Sequence, residues 1–424
     1  MKQSIRIAKK PIHARLIIPG SKSITNRALL IAALADGVSQ LSDILISDDT
    51  RAFINALLAL GITIQLNEAE RTCTIYGGGG RLPSSESTVW CAEAGTVIRF
   101  LLAACAASRG TYHFDGSAQL RTRPISLLLQ ILSAQGAKII PTGAKQLPFT
   151  IIGNERFQGG EIEIDASETG QFVSALLMIA PYAKTSVLIK AKEIVSRPYV
   201  EMTSAMMAEF GVTVHRLHHG CFSVPVPQRY QGRTYTIEPD FSTASYFFAA
   251  AAVTAGQVTI QTVNTKTSRQ ADVGFLDVLK KMGCIVTENS KELTVHGPKE
   301  LQGLNVDMRD FSDTFVTLAV IAPFAKTPTT ITNIRHARHK ESDRMTVVRE
   351  NLEKLKIKVE EGPDWLKIYP GTPEAATIDS HNDHRIAMAF SVMGLRVVGI
   401  KIKGAECVSK TCPDFFKLWE SLYD

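Results

Sequence analysis

Only 7% of the 424 residues are aromatic, and the seven cysteines include no C-x-x-C pair. Cys73, Cys91, Cys105, Cys221, Cys284, Cys407 and Cys412 are odd in number and scattered, which argues against a disulfide framework and fits reduced thiols in a cytoplasmic protein. No stretch approaches the ~20 charge-free apolar residues of a membrane span. From Met1 to Ile18, Lys, Arg and His interleave with apolar residues, so no signal peptide is expected. A dense basic tract is also missing, for Lys plus Arg exceed Asp plus Glu by only 47 to 41. With so few aromatics, this disfavours a nucleic-acid-binding module, which needs a Lys/Arg face interleaved with stacking side chains. His215, His218 and His219 lack H-E-x-x-H spacing and read as exposed loop histidines rather than ligands of a hydrolytic zinc.

The composition present is globular, 45% apolar against 21% charged, and the length exceeds the ~250–300 residues at which one core stops growing. Two domains are expected. A small-residue-rich helical pattern opens near Ser23, Gly95, Thr169, Thr243, Asp313 and Asp383, at intervals of roughly 70–75 residues, which gives six copies of one unit. A second, more amphipathic helix follows each start by about 28 residues. The first four of these end at Gly61, Gly136, Gly211 and Gly283, and the fifth has Lys356 nearby. Runs such as Val187 to Lys190, Val258 to Gln261 and Thr329 to Thr332, and then Lys138 to Ile140 or Ile357 to Val359, read as strands. The unit is therefore βαβαββ, and the class α/β (α+β). A three-plus-three split places residues 20–238 in one domain and residues 1–19 with 239–424 in the other. The strand-like Arg15 to Ile18 then belongs with the C-terminal domain.

Unusual chemistry gathers at the helix starts: Ser21-Lys22-Ser23 with Arg27, Gly95-Thr96 with Arg99, Thr169-Gly170-Gln171, Asp313, and Asp383-His384-Arg385. Helix N-termini carry unpaired N–H groups and partial positive charge, and added Lys and Arg select phosphate or carboxylate. Small polyanions are the expected ligands. Pro19 to Ser23 lacks P-loop spacing, and Gly77 to Gly80 lacks the Lys-Ser that would follow, so nucleotide binding loses support. Taken alone, Lys22 reads as a solvated lysine after a turn, Lys340 to Arg344 as a charged helix start with Ser342 a plausible cap, and Asn382 to Arg385 in part as a cap. The repeat context turns these readings toward a site.

Pro19-Gly20-Ser21-Lys22-Ser23, Asn26-Arg27, Ala94-Gly95-Thr96, Arg123-Pro124, Gln171, Arg197-Pro198-Tyr199, Lys340-Glu341, Asp343-Arg344, Asn382-Asp383-His384-Arg385 and Lys410-Thr411 occur in the order and spacing of one family. Over nearly the whole chain the sequence resembles the 5-enolpyruvylshikimate-3-phosphate synthases. The resemblance implies two domains, each of three βαβαββ units about a pseudo-threefold axis, with substrates bound in the cleft between them as the domains close. It implies transfer of the enolpyruvyl group of phosphoenolpyruvate to the 5-hydroxyl of shikimate 3-phosphate, without metal or organic cofactor, by a cytoplasmic, monomeric, glyphosate-sensitive enzyme. By motif, Lys22, Ser23, Arg27, Thr169, Gln171, Ser196, Tyr199, Asp313 and Lys340 would bind shikimate 3-phosphate. Phosphoenolpyruvate would meet Lys22, Gly95, Arg123, Gln171, Arg344, Arg385 and Lys410. Asp313 is the candidate base, and Glu341, helped by Lys22, the candidate acid.

Several positions depart from the family. Glu93 stands where Asn is usual before Ala-Gly-Thr, and its carboxylate would repel phosphate unless Arg99 or Lys22 pairs with it. His336 replaces an Asn common in one branch, and Thr169-Gly170 a Ser-Ser or Ser-Ala pair. Arg121 and Arg123 could each reach the site, and the Arg-Pro context favours Arg123. A related enolpyruvyl transferase acting on UDP-N-acetylglucosamine carries a reactive Cys or Asp near Asp115, but the Lys-Glu-Ser-Asp-Arg and Asn-Asp-His-Arg motifs favour shikimate.

Overall fold

The computed structural model describes residues 2–142, 146–155 and 157–423. The chain divides into two compact units, one of residues 20–237 and one of residues 1–19 with 238–424. Each has its own hydrophobic core.

In the first unit the buried helices are Lys22–Leu34, Gly95–Ala107 and Gln171–Ile179. Almost every residue of each is buried, so these helices are apolar all round rather than amphipathic. Alanines such as Ala28, Ala32, Ala103 and Ala104 let the backbones approach, and Gly95–Ala107 packs against both of the others. In the second unit the helices Phe241–Thr254, Phe315–Ile321 and His384–Gly394 pack pairwise.

Among the described residues, five four-stranded sheets repeat one pattern. In the sheet of Glu86–Trp90, Gly110–Asp115, Phe149–Gly153 and Lys138–Pro141, the first pair is parallel and the others antiparallel. This is the βαβαββ unit expected above. Two sheets take their first strand from far along the chain: Thr234–Thr236 pairs with Val38–Ser42, and His13–Leu16 with Gln257–Gln261. The N-terminal strand thus runs two residues earlier than Arg15 to Ile18 suggested. The sixth copy is incomplete, for Thr377–Asp379 and Lys401–Lys403 are joined by Lys2–Ser4 in a three-stranded sheet.

The second helices end as the glycines foretold, with φ of 89° at Gly61, 104° at Gly136, 89° at Gly211 and 104° at Gly283. Lys356 occupies the same left-handed position at φ 63°. The glycines 77–80 close the end of Lys22–Leu34: the N–H groups of Gly78, Gly79 and Gly80 donate to the carbonyls of Ala33, Ala35 and Leu34. A Cβ at Gly77 would lie 2.1 Å from the Ala35 carbonyl oxygen, so this run serves packing. His215 and His218 are exposed on the edge strand His215–His218 rather than in a loop, and His219 follows in its turn. All seven cysteines are buried. No helix among the described residues is long and apolar enough to cross a membrane.

Candidate active site

Three helix starts of the first unit are laced together by side chains. Asn26 Nδ2 donates to Thr96 Oγ1 at 2.7 Å, linking the first two helices. Arg99 donates to Gln171 Oε1 at 2.7 Å and to the Pro124 carbonyl at 3.0 Å, so one guanidinium fixes the third helix start and the segment that carries Arg123. Thr169 Oγ1 accepts from the Gln171 N–H at 3.2 Å.

Arg27 is fully buried. Its Nε donates to Thr203 Oγ1 at 2.7 Å, Nη1 to the Ser23 carbonyl at 2.9 Å, and Nη2 to the Tyr199 carbonyl at 3.1 Å and Ser174 Oγ at 3.4 Å. The guanidinium carbon lies 5.2 Å from the Phe100 ring centroid. Burial lowers the Arg27 pKa to about 10, so the group stays cationic at neutral pH. Among the described residues no carboxylate pairs with it. Ser23, Arg27 and Tyr199 are therefore brought together. Thr203 and Ser174 were missed, although Thr203 lies one helical turn beyond Tyr199 and Ser174 three residues beyond Gln171. Ser196 precedes the helix Arg197–Glu209 at φ 51°, a left-handed conformation uncommon outside glycine.

Arg121 and Arg123 separate cleanly. Arg121 grips Asp115 with two bonds, Nε to Oδ1 at 3.0 Å and Nη2 to Oδ2 at 2.6 Å, and that hydrogen bond holds the Asp115 carboxyl below the usual range. Arg123 instead lies over the start of Gly95–Ala107, where a Cβ on Gly95 would come within 2.8 Å of its Nη1. Lys22 pairs with the buried Asp49 at 3.2 Å.

The second unit gathers charge of both signs. Every nitrogen of the buried Arg344 meets a carboxylate: Nε meets Asp383 Oδ2 at 2.8 Å, Nη1 meets Asp313 Oδ1 at 3.0 Å, and Nη2 meets Glu341 Oε2 at 2.6 Å. Arg385 Nη2 holds the other Asp313 oxygen at 2.7 Å, and Lys340 stands 3.9 Å from Asp313. Burial opposes ionisation of Asp313, but Arg385, Lys340 and Arg344 together outweigh it and hold its carboxyl far below the usual range.

Local folding explains the geometry. Asp313 sits in the 3-10 turn Ser312–Thr314 that opens the helix Phe315–Ile321. Asp343, not Ser342, caps Arg344–Lys354 by accepting from the Thr346 N–H at 3.1 Å. Ser342 donates instead to Asp383 Oδ2 at 3.0 Å, and Asp383 itself caps His384–Gly394. The structural role foreseen for the second motif thus falls on Asp383, which also anchors Arg344. His336 Nε2 lies 2.6 Å from Ser312 Oγ, beside Asp313. Burial, with Lys340 nearby, drops its pKa to about 3 and keeps the ring neutral. Lys410 is buried at the end of the turn Ala405–Lys410, which packs on His384–Gly394.

Chemically, the first unit offers the buried Arg27 among neutral oxygens and the second a carboxylate flanked by three cations. Such groups suit anionic substrates and a proton transfer.

Comparison with known proteins agrees. The sequence profile of EPSP synthase (3-phosphoshikimate 1-carboxyvinyltransferase) matches residues 7–419. The chain is 45% identical over 409 residues to a 3-phosphoshikimate 1-carboxyvinyltransferase of Nostoc punctiforme, covering 96% of each. It is 45% identical to the Trichormus variabilis enzyme of the same name over 97% of each. An EPSP synthase structure from Acinetobacter baumannii superposes with a TM-score of 0.84 at 26% identity, covering 99% of this chain and 97% of that one. The chain belongs to the EPSP synthase (3-phosphoshikimate 1-carboxyvinyltransferase) family.

Proposed function

We propose that this enolpyruvyl transferase of the shikimate pathway moves the enolpyruvyl group of phosphoenolpyruvate to the 5-hydroxyl of shikimate 3-phosphate with Asp313 as base. The observation that carries the reading is the Asp313 carboxylate held between Arg344 and Arg385. In this reading Lys22, Ser23, Arg27, Thr169, Gln171, Ser196, Tyr199, Asp313 and Lys340 hold shikimate 3-phosphate. Lys22, Gly95, Arg123, Gln171, Arg344, Arg385 and Lys410 receive phosphoenolpyruvate.

Glu341, which takes up a proton as the phosphoenolpyruvate anion displaces it from Arg344, supplies that proton to the methylene carbon, which leaves C2 electron-poor. The 5-hydroxyl oxygen then bonds to C2 while its proton passes to Asp313. The tetrahedral adduct collapses as the methyl carbon returns a proton and the C2–O bond to phosphate breaks. A carboxylate as strongly held as Asp313 is a weak base, and the substrate itself relieves this. Once the phosphoenolpyruvate anion shares Arg344 and Arg385, their pull on Asp313 falls and its proton affinity rises. The reaction needs no metal or organic cofactor in this reading, and the enzyme acts as a cytoplasmic monomer that glyphosate inhibits in competition with phosphoenolpyruvate.

The test is phosphate release from phosphoenolpyruvate in chelator-treated buffer, with shikimate 3-phosphate or with UDP-N-acetylglucosamine. Release with shikimate 3-phosphate alone is expected. Asp313→Ala is expected to lower turnover about 10²–10⁴-fold, the usual contribution of a positioned base. Near-normal turnover in that variant would remove Asp313 from the role.

A further inference from the structure

Away from these groups, the second unit has a cavity of about 260 Å³ at the opposite ends of its three buried helices. Residues 252–255 finish Phe241–Thr254, Phe324 finishes the turn after Phe315–Ile321, and Arg396 follows His384–Gly394. Asp313 and Arg385 lie at the starts of two of these helices, so helix length alone separates cavity from cluster by roughly 10–20 Å.

Four cations line the cavity: Lys9, Lys10, Lys299 and Arg396. No acidic side chain is among the lining residues, and Glu300, next to Lys299, is taken by Lys326. The structural explanation for such cations is neutralisation of helix C-termini, and Arg396 does serve it by donating to the Val253 carbonyl. Three helix ends carry roughly half a negative charge each, which leaves most of four positive charges unbalanced. The floor is apolar, with Leu301 and the Phe324 ring, whose centroid lies 5.2 Å from the Arg396 guanidinium carbon. Ligand pockets commonly span about 300–1,000 Å³, so this one admits only a small molecule.

We propose that this cavity is a second binding site, for a small planar carboxylate whose ring lies against Phe324 and Leu301 and whose charge meets Lys9, Lys10 and Lys299. It is independent of the Asp313 cluster, and its occupant does not compete with either substrate.

Benzoate is the probe, titrated into the full-length protein and followed by saturation-transfer NMR on the benzoate signals. Saturable binding is expected, unchanged by excess shikimate 3-phosphate and phosphoenolpyruvate. Lys10→Glu with Lys299→Glu should weaken it at least about tenfold, as should replacing benzoate by the uncharged benzamide. Inorganic phosphate, which has charge without the ring, should bind more weakly than benzoate. Absence of saturation, displacement by the substrates, equal binding to the reversed-charge protein, or equal binding of benzamide or phosphate would each overturn the proposal. Turnover should be unchanged in the variants. Lys10→Gln with Lys299→Gln carries the same test if charge reversal impairs folding.

Discussion

The two units hold their buried arginines in opposite ways. Arg27 is surrounded by hydroxyl and carbonyl oxygens, so its charge is solvated by dipoles and left uncancelled. Arg344 meets Asp313, Glu341 and Asp383, so its charge is more than matched. An incoming anion adds to the first arrangement but must share the second with carboxylates already there. The first is therefore suited to capture, and the second to chemistry in which a carboxylate changes its proton affinity as the anion arrives.

The largest effects should come from removing each arginine. Arg344→Met leaves three carboxylates without their common partner and should cost about 3–5 kcal/mol, read from the urea midpoint. Arg27→Met leaves only hydroxyl and carbonyl acceptors unpaired, for which about 1–3 kcal/mol is expected. Equal losses would break the contrast.

Next in size is the distinction within the first unit. Arg123→Ala should lower kcat/KM for phosphoenolpyruvate about 10–100-fold, the worth of charged hydrogen bonds. Arg121→Ala should leave it close to wild type, because Arg121 is committed to Asp115 at the surface. A deep loss in Arg121→Ala would reverse the assignment.

The second unit also carries a pH signature. The His336 pKa is about 3 when folded against 6.5 unfolded, so between those values the unfolded chain binds the extra proton. Stability should therefore fall as pH drops from 6.5, by up to about 1.4 kcal/mol per pH unit. Asp313, whose folded pKa is likewise depressed, contributes stability present above its unfolded value of 3.8 and lost below it, outside the upper part of this window. His336→Asn should flatten the slope of the urea midpoint between pH 6.5 and about 4. An unchanged slope would assign the acid sensitivity elsewhere.

How much of this was legible from sequence varies with the range of the interaction. Helix starts were plain because a polar or glycine residue followed by a small apolar run is a local pattern. The cap at Asp343 was misread as Ser342 because two adjacent residues can each cap, and only Asp383, about forty positions on, decides between them. A still longer separation hid Thr203, which stands 176 residues from Arg27. The polar stretch at His215 looked like a turn because its strand pairs on one side only, with Cys221–Val224, and needs no buried face. The incomplete sixth copy escaped because its first helix repeats the pattern faithfully, while one of the two strands it lacks is supplied by Lys2–Ser4 from the other end of the chain.

The smallest effect concerns the turn where the repeats disagree. All three second helices of the first unit, and Phe275–Lys281 in the second, end at a glycine with positive φ, whereas Arg344–Lys354 ends at Lys356. Glycine reaches φ 63° without the Cβ penalty a lysine meets, and Lys356 is exposed, so little packing is at stake. Lys356→Gly should therefore raise stability by about 0.5–1 kcal/mol with turnover unchanged. Gly283→Ala is the mirror experiment. A Cβ there would meet nothing nearer than 3.6 Å, so any loss measures backbone strain at φ 104° alone. If Lys356→Gly destabilises instead, the lysine makes a contribution that its backbone geometry does not reveal, and the fifth repeat is held at this turn differently from the other four.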